Sequence, residues 1–125
     1  MILFEVYNVV MATSQSTVDF ILDQLVREGR ARAKKMFGEY ALYFDDKVVG
    51  LVCNDTLYIK ITEQGKEFVG KYYKEGYAYP GAKVSMEIDG GQMEDREWLC
   101  NLVRITSENV PFPKPKKSRK RKSPK

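Results

Sequence analysis

The sequence predicts an α+β domain of two layers, an antiparallel sheet with helices on one side, in the order α-β-β-β-α-β(β)-α. Three observations carry this. Apolar residues recur at helical spacing in VDFILDQLV, switch to strict alternation in EYALYF, and return to helical spacing in DREWLCNLVRITS. Asp45-Asp46 and Asn54-Asp55 separate runs rich in β-branched and aromatic residues at hairpin distance. With 43% apolar residues in a chain of 125, one core can be filled and little is left for a second.

Each element has its own signal. Ser16 is the expected cap of the first helix, with Asp19 three residues on and Val18, Ile21, Leu22, Leu25 and Val26 as the packing face, ending near Gly29. Tyr40, Leu42 and Phe44 then take one face of a strand, and Ala41 and Tyr43 the other. The first turn leads into a strand from Lys47 to Cys53 and the second into a strand over 56–61, which makes a meander of three. Thr62 caps a second helix in which Phe68, Val69 and Tyr72 share a face across Gly65 and Gly70, with Gly76 as its stop. Tyr79-Pro80-Gly81 reads as a turn, Lys83 to Ile88 as a strand, and Asp89-Gly90-Gly91 as its break. The last helix, Asp95 to Ser107, packs through Trp98, Leu99, Leu102 and Ile105, and Pro111 and Pro113 end regular structure.

Charge divides the chain. Residues 114–125 carry eight basic and no acidic residues, so the net charge of +4 hides a body, residues 1–113, with 13 basic against 17 acidic. The expected organisation is an N-terminal extension over 1–11, a folded domain over 12–109, and a disordered basic tail over 110–125. The opening MILFEVYNVVMA lacks a basic leader, is interrupted by Glu5, Tyr7 and Asn8, and is too short to span a bilayer. Met11 begins a stretch that reads like a protein start. No membrane segment is expected, and the location is read as cytoplasmic, with nucleoid association compatible with the tail.

The residue types narrow the chemistry. Histidine is absent, which removes the usual acid/base at neutral pH and the commonest metal ligand. Cys53 and Cys100 form neither a disulfide framework nor a Cys-x-x-Cys pair, and read as small buried apolar residues of a reduced compartment. In MFGEYALYFDD, residues 36 to 46, the solitary Gly38 makes no phosphate loop and provides instead a bulge or backbone freedom at a strand entry. Asp45 and Asp46, adjacent in an extended segment, point to opposite faces and read as a turn, not as metal ligands. Glu94, Asp95 and Glu97 complement a helix dipole. No catalytic residue, cofactor or metal is therefore expected, and the chain is not read as an enzyme.

The run ARAKKMFGEYALYFDDKVVGLVCNDTLYIKI, the VDFILDQL helix before it and the YPGAK turn at 79–83 resemble the N-terminal domain of the TfoX/Sxy competence regulators over about residues 12–108. The resemblance implies a small α+β domain, similar in topology to secretion-chaperone-like domains. It implies a regulatory role, linked in the family to natural competence and to transcription assisted by a cyclic-AMP receptor protein. Met36, Phe37, Gly38, Tyr40, Leu42, Tyr43, Pro80, Gly81 and Lys83 are the matching signature positions, structural by default, with Lys83 kept as a binding candidate. The family's regulatory members usually carry a second, helical domain where this sequence carries its charged tail.

Two functions compete, and a third is kept. The first is a regulatory or adaptor domain that docks on a protein partner through Tyr43, Tyr58 and Lys83. Tyr43 and Tyr58 fall opposite Leu42 and Ile59 in their strands, so on the face away from the helices they can make a cross-strand pair or a docking surface. The second is a nucleic-acid-associated module in which Lys114, Lys116, Lys117, Arg119, Lys120, Arg121, Lys122 and Lys125 neutralise DNA phosphates without reading bases. The third is a small-molecule sensor with a pocket between helices and sheet. Homodimerisation through the sheet is compatible with the fold.

Overall fold

The computed structural model describes residues 14–36 and 39–111. Phe37 and Gly38, with the expected bulge, lie outside the described residues, as do the N-terminal extension and the Lys/Arg tail.

Helix α1 spans Gln15–Gln24 and is capped by Ser14, not Ser16. The Ser14 hydroxyl oxygen accepts the Thr17 N–H at 3.4 Å, while Asp55 holds the Ser14 N–H, so the helix begins two residues earlier than the apolar pattern indicates. A 3₁₀ turn over Val26–Glu28 and Gly29 at φ 65° end the segment. Val26, expected on the packing face, is 60% exposed because the helix has already tightened.

Strand β1, Ala31–Met36, has no counterpart in the sequence reading. Its residues lack apolar alternation, and it exists because all six pair with β2, Glu39–Phe44. The Arg30 guanidinium, just before it, sits 5.0 Å from the Phe44 ring centre and donates to Asp45, and Arg32 lies 4.2 Å over Tyr43. Lysines and arginine on this edge strand also discourage pairing with another sheet.

The meander continues through β3, Lys47–Cys53, and β4, Thr56–Ile59. Both connecting turns have two residues at positive φ: Asp45 (54°) and Asp46 (64°), then Asn54 (54°) and Asp55 (60°). This is the type I′ geometry that Asn and Asp tolerate and that suits twisted hairpins. The register shifts between Leu42 and Tyr43, which pair with Gly50 and Val48 and leave Val49 as an extra residue. Only glycine fits at position 50, since a Cβ there would lie 2.3 Å from the Tyr58 carbonyl oxygen.

Helix α2, Glu63–Val69, is capped by Thr62, whose hydroxyl oxygen accepts the Gly65 N–H at 2.9 Å. It ends at Gly70, φ 56°, and not at Gly76; residues 70–72 form a 3₁₀ turn that leaves Tyr72 half exposed and off the packing face. Gly76 belongs to β5, Glu75–Tyr77, which pairs with β6, Val84–Ile88. Asp89 then starts a short helix α3, Gly90–Met93, instead of merely breaking the chain: its carboxylate accepts the Gly91 N–H at 3.1 Å. Asp95 caps α4, Arg96–Asn109, by accepting the Trp98 N–H at 3.1 Å.

The six strands form one antiparallel sheet in the order β1-β2-β3-β4-β6-β5. Tyr40, Leu42 and Phe44 of β2, with Leu57, Ile59 and Met86, meet Val18 and Ile21 of α1, Leu25 at its C-terminal cap, and Leu99, Leu102 and Val103 of α4 in one core. Its buried polar groups are satisfied. Gln24 donates to the Met93 carbonyl at 2.8 Å, Thr106 to Leu102 at 2.8 Å, and the Cys100 thiol to the Gln24 carbonyl at 3.2 Å. No described helix is long and apolar enough to cross a membrane.

Candidate functional site

On the sheet face turned away from the core, strand pairing sets rows of side chains. One row runs Lys34, Ala41, Leu51, Tyr58, Glu87; the neighbouring one runs Arg32, Tyr43, Val48. Tyr43 and Tyr58 therefore do not form a cross-strand pair: β3 lies between their strands, and they occupy different rows. Both are half-buried. Tyr43 lies beneath the Arg32 guanidinium. Tyr58 extends toward β5, where a Cβ on Gly76 would come within 3.2 Å of its Cε1 and 2.8 Å of Glu87 Oε1. Burial and then the Glu87 charge push the Tyr58 hydroxyl up from its ordinary value.

Lys83 has a different setting. The Ala82 N–H donates to the Tyr79 carbonyl at 3.0 Å, and Gly81 has φ 88°. With Pro80 before Gly81, this is the pattern of a type II turn, in which proline presets the second residue and glycine takes the positive φ of the third. The turn delivers Tyr79 and Lys83 to the rim of an open groove of about 910 Å3 at the end of the sheet, where β4 leaves, β6 enters and α4 stops. Val48, Leu51, Ile61, Val84 and Val110 give it apolar walls. Tyr77, paired with Val84, is 63% exposed and Tyr79 is 54% exposed, so aromatic surface continues from the groove onto the β5–β6 hairpin.

Lys60 stands in the same groove. Partial burial, and then the positive charge of Lys83, hold its ammonium group below the ordinary lysine value. No described carboxylate is paired with either lysine, whereas Arg30, Arg32, Lys74 and Arg96 each have one. The groove thus gathers positive charge beside apolar surface within a body of net negative charge. Lys60 was not among the sequence candidates, because its meeting with Lys83 depends on the pairing of β4 with β6.

The other signature positions are structural where described. Leu42 is in the core, and the Tyr40 hydroxyl donates to Gln15 at 2.9 Å, joining β2 to α1. Pro80 and Gly81 shape the turn that carries Lys83. Cys53 and Cys100 are buried, and burial followed by the Glu39 charge pushes the Cys53 thiol up to about 11, the opposite of what a nucleophile needs. Among the described residues, no group of three or more His, Cys, Asp or Glu could hold a metal ion. The space between helices and sheet, where a sensor pocket was expected, is filled by Leu42, Leu57 and Leu102, each at most 1% exposed.

Fold and groove define a two-layer α+β domain with an open, positively charged cleft at one end of its sheet. Residues 23–109 match the TfoX N-terminal domain, and the chain belongs to that family. It is also similar to the "Uncharacterized 12.7 kDa protein in trpE 5'region" of Spirochaeta aurantia, at 41% identity over 109 residues that cover 87% of this chain and 93% of that protein.

Proposed function

We propose that the chain is a non-enzymatic regulatory adaptor of the TfoX type that acts in the cytoplasm by binding another protein, in transcription or competence regulation. The observation that carries this reading is the groove, where Lys60 and Lys83 lack a carboxylate partner among the described residues beside the exposed rings of Tyr77 and Tyr79. Apolar and aromatic surface with a few charged groups is the composition of protein interfaces. Tyr43 and Tyr58 are a weaker docking surface, because their rings are already half-covered by their own neighbours.

The experiment is site-specific photocrosslinking in cells, with the photoreactive residue at Tyr79, at Tyr58, or at Phe20 on the opposite part of the fold. A protein captured from position 79 and lost on Lys83→Glu supports the reading. Equal capture from all three positions, or none from 79 and 58, counts against it.

A second reading, phosphate binding by the tail, is favoured by the eight basic residues over 114–125, which begin three positions after Pro111 on the groove wall. It supplies affinity for nucleic acid without sequence preference.

A further inference from the structure

The chemistry of the groove specifies what fills it, given that the chain acts by protein contact. Lys60, just after β4, and Lys83, just before β6, share one cleft and have no carboxylate partner among the described residues. From this arrangement we infer that the groove takes an acidic segment of a partner protein, with one carboxylate between Lys60 and Lys83 and an adjacent aromatic or aliphatic side chain against Tyr79 and Val84.

Three considerations favour this occupant. Two ammonium groups facing one cleft repel each other, and partial burial of Lys60 adds to the cost of its charge. An arriving carboxylate relieves both, and a charge-assisted hydrogen bond is stronger than a neutral one. The walls formed by Val48, Leu51, Ile61 and Val84 suit a side chain, whereas a phosphate backbone gains nothing from apolar surface. The chain's own tail is a poor occupant, because its eight cations would add to the repulsion already present.

Charge placement also explains selectivity. Residues 1–113 carry more acidic than basic residues, while in the groove two lysines stand together without a described carboxylate, so an acidic segment is attracted there.

The test is a heteronuclear NMR titration of the full chain with three probes: a blocked ten-residue peptide alternating Glu and Phe, its Gln/Phe counterpart, and a short DNA duplex. The expected result is saturable movement of the Lys60 and Lys83 side-chain methylene signals and of the Tyr79 ring with the Glu/Phe peptide. The Gln/Phe peptide should bind about tenfold more weakly or worse, as fits the loss of a charge-assisted hydrogen bond. Lys60→Gln with Lys83→Gln should abolish the difference between peptides, and unchanged dispersion elsewhere verifies that the variant is folded. Equal binding of the two peptides overturns the inference, as does a duplex that moves the Lys60 and Lys83 signals at lower concentration than the peptide. Contacts between residues 1–11 and Tyr79 in the free chain also overturn it, since the groove would then have an occupant. If photocrosslinking at Tyr79 captures a partner while the acidic peptide fails, the ligand chemistry is wrong and the adaptor role survives. Failure of both removes both.

Discussion

Asp55, in the turn between β3 and β4, accepts the backbone N–H of Ser14 at 2.8 Å and the Thr17 hydroxyl at 2.9 Å, fixing the start of α1 to the end of a hairpin 41 residues away. These contacts hold the carboxyl below its ordinary range, with the Ser14 N–H as the largest cause. The stabilisation is present above the unfolded carboxyl value, about 3.9 for Asp, and is lost as pH falls through the lower folded value. Asp55→Asn keeps a side chain that tolerates φ 60° but removes the charge. Urea unfolding at pH 7 should show a loss of about 1 kcal/mol, and the gap between variant and parent should narrow as pH falls below the unfolded carboxyl value.

Gly50 offers a steric prediction. Its Cβ would meet a backbone oxygen at 2.3 Å, and a backbone atom cannot swing aside as a side-chain tip can. Gly50→Ala should cost about 2–4 kcal/mol, in the range of overpacking and broken strand pairing. Gly90→Ala, with nothing within 4 Å of the added atom, should stay within about 0.5 kcal/mol of the parent. Similar losses in the two denaturation curves would remove the account of the close approach between Gly50 and Tyr58.

The thiols should be silent in the native protein. Cys53 and Cys100 are 4% and 2% exposed, and burial raises both above the ordinary thiol value. Ellman's reagent at pH 7.5 should label neither on the time scale of minutes and both in 6 M guanidinium, because the thiolate is the reactive form. Rapid labelling of Cys53 without denaturant would contradict its burial.

Lys83→Gln should raise the pKa of Lys60 toward the ordinary lysine value, read from the pH titration of its Cε carbon signal, because one of two depressing influences is gone. Lys60 is destabilising to the fold while it is protonated in both states. This penalty is fully present below the folded pKa and disappears as pH rises through the unfolded value near 10.4. At pH 7 the substitution should therefore leave stability unchanged or slightly higher. A Lys60 titration that ignores position 83 would separate the two lysines.

For the basic tail, anisotropy of labelled duplex DNA should distinguish the full chain from a truncation ending at Pro111. With roughly five phosphate contacts, a fourfold rise in salt should weaken binding by about 2–3 decades, and the truncation should not bind at low micromolar concentration. Undiminished binding by the truncation would place DNA contact on the folded domain.

The parts of the fold visible in the sequence were those with a local cause. The Tyr40-Leu42-Phe44 alternation and the Asp45-Asp46 and Asn54-Asp55 turns appear in the structure where their periodicity and φ preferences put them. Strand β1 was invisible because Lys34 and Lys35 carry no apolar signal, and its existence rests on pairing with β2. Gly76 reads as the stop of the second helix with Gly70 inside it, whereas Gly70 ends α2 at φ 56° and Gly76 lies in β5, whose pairing with β6 leaves no local signal. Lys83 could be singled out within YPGAK, but the Lys60–Lys83 groove could not, since 23 residues and the β4–β6 pairing intervene.

Both hairpin turns act as clasps on what precedes the meander. Asp55 grips the start of α1, and Asp45 grips Arg30 at the entry to β1, with the Arg30 guanidinium holding the Asp45 carboxyl below its ordinary range. Acid weakens each grip as its carboxyl is protonated. The start of α1 and the entry to β1 thus depend on one carboxylate each, both set in hairpin turns. Once β1 lifts away, the alternating residues of β2 become an unguarded sheet border, and the acid-loosened protein has a template for self-association that the native basic edge conceals.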